Sequence, residues 1–222
     1  MLSADDAAIY NAYTAGNLDF IATIPNAQLG ELLANEDPEL YVADNIGTYY
    51  VGFNVNSELF AGKTPEQAND MRHAINLLID RQYIVDTIGQ TGQHLANTFI
   101  PDSMSDGNGN LFKQNTDSYT FPDAEAVGYY DPSQDAYEDN LAEAIELLKS
   151  AGFEFDENNM LSADTPLQFT YLTNEGEGNE AIGAAIQQDL AVIGAQVDIA
   201  TEAWSVFLND RKAGNYDVAR QG

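Results

Sequence analysis

The chain has 222 residues, of which 36 are acidic and 8 are basic, so its formal net charge is −28. Such a surface repels phosphate backbones and makes nucleic acid a poor partner, while solvation, polycation binding and adaptation to high salt stay open as reasons for the charge. The hydrophobic fraction of 44% suffices for a packed core, and the absence of cysteine excludes disulfides, thiolate nucleophiles and cysteine-based zinc sites.

The first part of the chain predicts short helices and a short strand. Residues 5–20 begin as a helix, because apolar residues recur at helical spacing and Gly16 suits the C-terminal cap. A strand is predicted over 18–24, where Pro25 stops it. A small helix follows over 27–34.

A strand and a longer helix are predicted next. Within 40–56, Tyr49 and every second residue up to Val55 are apolar, which is a strand pattern. Thr64 as N-cap and Gln67 three residues later form a capping-box signal that begins a helix. Its buried face is predicted to consist of Met71, Ala74, Ile75, Leu78 and Ile79.

The middle of the chain changes from regular to irregular patterning. Asp80 is predicted to cap a helix over 81–88 that Gly89 closes. The segment 101–132 mixes Gly, Asn, Asp and Ser with isolated aromatic residues and predicts a long surface excursion. Because no linker rich in Pro, Gly and Ser divides the chain, we expect a single lobe over 1–222.

A clear amphipathic helix follows the excursion. Asn140 is predicted as its N-cap, Glu143 as the capping-box partner and Gly152 as its end. Its buried stripe is predicted to be Leu141, Ala144, Ile145 and Leu148.

The last part of the chain alternates strands and helices. Strands are predicted over 167–172 and 197–200 with a helix over 180–193 between them, and a helix from Trp204 precedes a strand over 216–219. This order predicts the α/β class, with a mixed β-sheet, flanking helices and at least some parallel pairing.

No catalytic constellation is visible in the sequence. The histidines are His73 and His94, and neither has a serine or acidic partner at a recognisable spacing. No nucleophile elbow, zinc-protease helix, phosphate loop or dinucleotide fingerprint occurs. We therefore predict no catalytic residue and no cofactor.

Two loops are candidates for ion binding, one for calcium and one for phosphate. Residues 106–110 and Asp117 faintly resemble a calcium loop, but Leu111 stands where the sharp turn needs Gly and Asp117 replaces the bidentate Glu. A plain Asx-rich turn is the favoured interpretation, and no metal site is predicted. The glycine-rich turn 174–179 carries two Glu that would repel a phosphate, so a loop at the rim of a cleft fits it better.

The stretch 204–222 holds the only Trp of the chain and three of its eight basic residues, Arg211, Lys212 and Arg220. Trp204 and Arg211 are two helical turns apart and share a face. Either Trp204 covers the core while Arg211 pairs with a carboxylate, or both line a site for a polar ligand. Because the chain stops at its last strand, we expect this stretch to be one wall of a cleft whose other wall lies elsewhere.

Several motifs in order give the chain a resemblance to a known family. They are Asn11-Ala12-Tyr13 with Ala15-Gly16-Asn17-Leu18-Asp19-Phe20, Gly47-Thr48-Tyr49-Tyr50-Val51-Gly52-Phe53-Asn54, the segment from Arg72 to Arg81, the segment from Ala142 to Phe153, and Trp204, Phe207, Arg211 and Tyr216-Asp217-Val218-Ala219-Arg220. The chain thereby resembles the extracellular solute-binding proteins of peptide-type ABC importers, the oligopeptide- and dipeptide-binding family.

The resemblance implies one lobe of a two-lobed type II periplasmic-binding-protein fold that closes about a hinge on an oligopeptide. It implies that Trp204, Arg211, Arg220, Gly222 and, from a neighbouring loop, Asn174 line the peptide cavity. It further implies a monomer outside the cell or in the periplasm, anchored as a lipoprotein, that delivers its ligand to membrane permease subunits.

Two other functions are alternatives to the binding protein, namely a hydrolase fragment and an acidic cell-surface interaction module. Residues 1–6 lack the basic head and apolar core of a signal peptide, and no apolar run approaches the ~18 residues of a membrane span. For an exported protein, the signal segment is therefore expected outside this chain.

Overall fold

A four-stranded mixed sheet lies at the centre of the computed structural model, which describes residues 3, 5–43, 45–96, 98–114 and 136–222. The strands are β1 (Tyr50–Phe53), β2 (Gln168–Asn174), β3 (Gln196–Glu202) and β4 (Val218–Gln221). The helices are α1 (Asp6–Thr14), α2 (Asn26–Ala34), α3 (Pro65–Leu78), α4 (Arg81–Tyr83) with a π-helical continuation (Ile84–Gly89), α5 (Tyr137–Ser150), α6 (Glu177–Ala191) and α7 (Trp204–Ala213).

The strand order is β1-β4-β2-β3. Strand β2 runs parallel to both β3 and β4, and β1 pairs antiparallel with β4. The predicted α/β class with a mixed sheet and flanking helices is thus confirmed. The last strand, β4, is an interior strand that pairs with β1 along its whole length and with β2 at Val218 and Ala219.

The two faces of the sheet are covered by different helices. Residues of α3, α5 and α6 pack with alternate residues of the strands, including Phe169, Tyr171 and Val218, in the larger core. On the opposite face, Phe207 of α7 packs against Leu172 and Ala219. This alternation along β2 and β4 follows from the two-residue period of a strand, and it places α7 on the face opposite the larger core.

The predicted capping box at the start of α3 is confirmed. The Thr64 hydroxyl accepts from the Gln67 amide at 3.2 Å, and the Gln67 side-chain oxygen accepts from the Thr64 amide at 3.0 Å. The predicted face of α3 and the following Ile79 are buried in the larger core.

The strand prediction over 18–24 is wrong, and the one over 40–56 is too long. Within the part of the chain that the structure describes, residues 18–24 pair with no strand, and a strand forms only where a partner satisfies its backbone groups. Strand β1 has four residues because β4 opposes it from Tyr50 to Phe53. Directly after Phe53, the side chain of Asn54 donates to the carbonyls of Gly214 and Tyr216.

Several boundaries also differ from the predicted ones. Helix α5 begins at Tyr137, so Asn140 is a buried residue inside the helix and not its cap. Helix α6 begins earlier than predicted, at Glu177, and β4 begins later, at Val218. After Asp80, whose side chain caps α4 as predicted, the chain widens to a π-helix that ends with Gln90 in the left-handed region, at φ 61°.

The described part of the predicted excursion is irregular, as expected. The Asp106 carboxylate accepts from the amides of Asn108 and Asn110 at 2.7 and 3.1 Å, which is the favoured Asx-type turn. An isolated bridge joins Ser105 to Leu111, and a short 3-10 turn follows. Asp117 and the remainder of 101–132 beyond residue 114 lie outside the described residues.

The excess of acidic residues should make stability depend on salt. The described ion pairs join Lys149 to Glu146 and Asp102 to Lys113 and His94. They compensate only a small part of the repulsion that a net charge of −28 creates. Raising NaCl from ~0.1 M to ~1 M shortens the screening length from about 10 Å to about 3 Å. We expect the Tm to rise by several degrees in a thermal melt, because folded-state repulsion is screened. A Tm that falls over this range would contradict it.

Asp189 on α6 should make stability depend on pH. Its carboxylate accepts from the Asp80 amide at 2.9 Å, and burial raises its pKa to about 6. The folded pKa lies above the unfolded value of about 3.9, so the charged group destabilises the fold above pH ~6 and ceases to do so as the pH falls towards ~4.

The variant Asp189→Asn keeps an acceptor for the Asp80 amide and removes the charge. We expect it to gain about 1 kcal/mol of unfolding free energy near pH 8 and nothing near pH 4, as a discounted value for a half-buried group. Urea unfolding at both pH values measures it, with Asp198→Asn on the exposed side of β3 as the matched charge control. An equal effect at both pH values would refute the assignment.

Candidate functional site

The candidate site is built on the turn that joins α7 to β4. Helix α7 ends at Ala213 and is capped by Gly214, whose left-handed conformation (φ 77°) turns the chain so that the Asn215 amide donates to the Asp210 carbonyl at 2.9 Å. Asn54, just after β1, holds the turn by donating to the carbonyls of Gly214 at 2.9 Å and Tyr216 at 3.0 Å. The turn that leads from α7 into the start of β4 is thereby fixed to the end of the edge strand β1.

Trp204 is the first residue of α7 and lies on the surface. Its side chain is 55% exposed, and its ring packs at 5.8 Å, centroid to centroid, on that of Phe207, which is fully buried. Phe207 therefore fills the core position on this helix. The alternative in which Trp204 covers the core does not fit this arrangement, and most of the indole faces solvent.

Arg211 lies on the same side of α7 as Trp204, as the seven-residue spacing predicted. Its guanidinium carbon is 5.0 Å from the centroid of the Phe207 ring, and its Nη1 donates to the backbone carbonyl of Arg220 at 3.3 Å. These contacts hold the guanidinium in place, and its other N–H donors have no partner among the described residues.

Arg220 on β4 joins two segments that are distant in sequence. Its Nη1 donates at 3.0 Å to the side-chain oxygen of Asn174, the last residue of β2, and its guanidinium lies 4.4 Å from the centroid of the Tyr49 ring. Burial raises the pKa of the Tyr171 hydroxyl to about 12, and the nearby positive charge of Arg220 acts in the opposite direction.

Gly222 follows β4 and lies against the same tyrosine. A Cβ at Gly222 would collide with the Tyr49 ring, so a side chain at this position would have to displace the ring. Tyr49 is 69% exposed and was not predicted as a site residue. The only sequence signal for it was its place at the start of the alternating segment before β1, which gives no information on its neighbours.

A chain of contacts thus links the five predicted site residues and one more around the end of the sheet. Because Arg220 alternates with Ala219 on β4, its side chain leaves the sheet on the face opposite α7, and its link to Arg211 runs through its backbone carbonyl. We call this set the arginine cluster: Tyr49, Asn174, Trp204, Arg211, Arg220 and Gly222. Within the residues the structure describes, no ion pair involves Arg211 or Arg220. The two guanidinium groups can donate hydrogen bonds to carboxylate and carbonyl oxygens of a ligand, and the exposed rings of Trp204 and Tyr49 can contact its apolar side chains.

The histidines lie outside this cluster. The Nε2 of His73 on α3 is buried and has no hydrogen-bond partner in the described part of the chain. His94 is exposed and, contrary to the prediction, has an acidic neighbour, with its Nδ1 at 3.1 Å from Asp102. The pKa of Asp102 is lowered, mainly by its hydrogen bond with Lys113 and to a smaller extent by that with His94. The described residues bring no three His, Cys, Asp or Glu side chains together as a metal site.

The chain is similar to known proteins along its whole length. The family profile described as "Bacterial extracellular solute-binding proteins, family 5 Middle" matches residues 1–222. The periplasmic oligopeptide-binding protein OppA of Haemophilus influenzae is 30% identical over 214 residues, which is 95% of this chain and 34% of that protein. The dipeptide-binding protein DppE of Bacillus subtilis is 30% identical over 212 residues, with 95% and 33% covered.

A solved structure gives the same result. The murein tripeptide-binding protein MppA of Escherichia coli superposes with a TM-score of 0.73 at 26% identity, covering 97% of this chain and 36% of that one. The chain thus spans about a third of the length of the relatives it matches. Within the described residues, no helix has the length and apolar character needed to cross a membrane.

Proposed function

The chain belongs to the bacterial extracellular solute-binding proteins of family 5, and we propose that it contributes the surface on which such a protein holds an oligopeptide. The observation that carries this proposal is the arginine cluster. Arg211 and Arg220 are held by aromatic rings, a backbone carbonyl and an amide oxygen, and neither takes part in an ion pair among the described residues.

The chemistry of the cluster suits a ligand that varies in sequence. Peptides share backbone amides and charged termini, and a carrier that accepts many of them must bind these common groups. Fixed guanidinium donors provide hydrogen bonds to carbonyl and carboxylate oxygens, and the exposed Trp204 ring provides an apolar wall without a side-chain preference. In a chain of net charge −28, the positive charges of Arg211 and Arg220 favour binding of a ligand rich in hydrogen-bond acceptors at this position.

The residues proposed to contact the peptide are those of the arginine cluster, namely Tyr49, Asn174, Trp204, Arg211, Arg220 and Gly222. Residues 1–222 form one lobe in this proposal, and a second lobe closes over the cluster about a hinge. The protein acts as a monomer outside the cell or in the periplasm, anchored as a lipoprotein, and passes its ligand to the permease subunits of an ABC importer. It has no catalytic residue and is not an enzyme.

A thermal-shift screen of the intact gene product against peptide pools of defined length tests this function. A pool that contains a ligand at about 100 times its Kd should stabilise the protein by about 2.7 kcal/mol, a shift of several degrees. Free amino acids of the same composition are the control and should give no shift.

The same samples distinguish binding from hydrolysis. Mass spectra of each pool before and after incubation should be identical for a binding protein. Cleavage that is lost in His94→Ala would establish the hydrolase alternative, and the absence of a shift with every pool would refute the proposed function.

A further inference from the structure

Two loops in different parts of the chain share one backbone geometry. We call them the Asp106 loop (residues 105–111) and the Asp156 loop (residues 155–161), and an isolated antiparallel bridge joins the two end residues of each. In both loops the backbone amide of the aspartate donates at 2.9 Å to the carbonyl four residues later. A chemical difference between the two loops can therefore be assigned to single residues.

The side chain of the aspartate fixes the turn in each loop. The Asp106 carboxylate accepts from the amides two and four residues later at 2.7 and 3.1 Å, and the Asp156 carboxylate accepts from the corresponding amides at 2.8 and 2.9 Å. Asn108 and Asn158 thus occupy equivalent positions, and both are exposed.

The residue that follows the asparagine differs between the loops. In the Asp156 loop it is Asn159, whose amide donates to the Asp156 carbonyl at 3.1 Å. In the Asp106 loop it is Gly109, whose amide has no hydrogen-bond partner among the described residues. Apart from its two chain neighbours, no residue comes within 4 Å of the position that a Cβ at Gly109 would occupy. The Gly109 nitrogen is therefore unpaired and unhindered.

The side chain of Asn108 is weakly held beside this nitrogen. Its Nδ2 lies 3.4 Å from the carbonyl of Asp106, which is long for a hydrogen bond. The equivalent carbonyl in the Asp156 loop is the one that accepts from the Asn159 amide. The Asp106 loop thus leaves both the side-chain amide and the next backbone nitrogen free to move towards each other.

We propose that Asn108 is a site of spontaneous deamidation, because asparagine is thermolabile and the next nitrogen is unpaired here. The Gly109 nitrogen loses its proton to water or hydroxide and bonds to Cγ of Asn108, and the side-chain nitrogen leaves as ammonia. Water then opens the cyclic imide at either carbonyl and gives aspartate or isoaspartate. The sum consumes one water molecule and releases one ammonia molecule, without oxidation or reduction.

Both products change the Asp106 loop. Each adds a carboxylate close to that of Asp106, and like charges repel in a chain whose net charge is already −28. Isoaspartate also lengthens the main chain by its Cβ, which displaces the later amide that donates to Asp106. Asn108 lies outside the arginine cluster, so this inference does not depend on the proposed function.

Peptide mapping by mass spectrometry tests the site on the intact gene product. The protein is incubated in warm, mildly alkaline buffer made with water enriched in the heavy oxygen isotope. We expect two isomeric acids at Asn108, each with one heavy oxygen atom, and conversion of Asn158 that is at least about tenfold slower. Conversion of Asn108 that is no faster than that of Asn158, or a product without isoaspartate, would overturn the proposal.

Two variants separate the effect of the loop from that of the Asn-Gly sequence. Asn159→Gly gives the Asp156 loop the same sequence pair at a left-handed position (φ 60°) that glycine adopts readily. We expect Asn158 then to react, but several-fold more slowly than Asn108, because the following amide still donates to Asp156.

The second variant, Gly109→Ala, crowds the attacking nitrogen and should slow the conversion of Asn108 about tenfold. Equal rates for Asn108 and Asn158 in Asn159→Gly would show that the unpaired amide is not the cause and would refute the structural assignment. An unchanged rate in Gly109→Ala would refute attack by this nitrogen.

Discussion

Replacing Phe207 with Ala should lower the free energy of unfolding by about 3–5 kcal/mol, the usual cost of removing a buried phenyl ring. Phe207 is fully buried and is the side chain by which α7 packs on Leu172 and Ala219. Its ring also supports Trp204 and the guanidinium group of Arg211. The loss should therefore weaken both the fold and the geometry of the arginine cluster.

Urea denaturation measures this loss, and Val206→Ala is the matched control on the same helix. Val206 is 48% exposed, so its truncation should change stability by less than about 0.5 kcal/mol. Similar costs for the two variants would mean that α7 does not pack on the sheet through Phe207.

Replacing Trp204 with Ala should weaken peptide binding by roughly 1–3 kcal/mol, the range for a consequential interface truncation. Because Trp204 is 55% exposed and Phe207 fills the core position beneath it, the same change should leave the Tm of the ligand-free protein nearly unaltered. The two effects together distinguish a ligand-contacting residue from a structural one.

Titration calorimetry of the intact gene product with a peptide from the screen measures the affinity, and a thermal melt measures the stability. Tyr41→Ala is a control, since this aromatic residue is 90% exposed and lies outside the arginine cluster. If Trp204→Ala unfolds the protein and peptide affinity is unchanged, Trp204 is a structural residue and its place in the site is wrong.

Elements with strong local signals were predictable from the sequence. The capping box at Thr64 and Gln67 and the apolar face of α3 depend on residues within a few turns of one another, and both are confirmed. The alternating strands and helices after residue 167 likewise predicted a sheet with parallel pairing. These signals are local, so they do not depend on the rest of the chain.

The wrong predictions concern features set by distant contacts. The segment 18–24 has strand-like composition, but only a partner strand would make it a strand, and none lies beside it in the sheet. Asn140 has the composition of a cap, yet packing buries it inside α5. The widening of α4 into a π-helix at Ile84 has no sequence signal that we recognise.

In the candidate site, too, the contacts within one helix were predictable and those between distant segments were not. The shared face of Trp204 and Arg211 follows from helical spacing, and both contact Phe207 as that spacing implies. The contacts of Arg220 with Tyr49 and Asn174 join segments that the sheet brings together. No spacing rule reaches across such separations, and for this reason Tyr49 was missed.

Photo-cross-linking tests the central claim, that a peptide is held at the arginine cluster, most directly. A peptide ligand with a photoreactive phenylalanine is irradiated with the intact gene product, and the attachment sites are mapped by mass spectrometry. The account predicts attachment to Tyr49, Asn174 and residues 204–222, abolished by excess unlabelled peptide. Competable attachment confined to α3 and α5, which hold no residue of the arginine cluster, would contradict it.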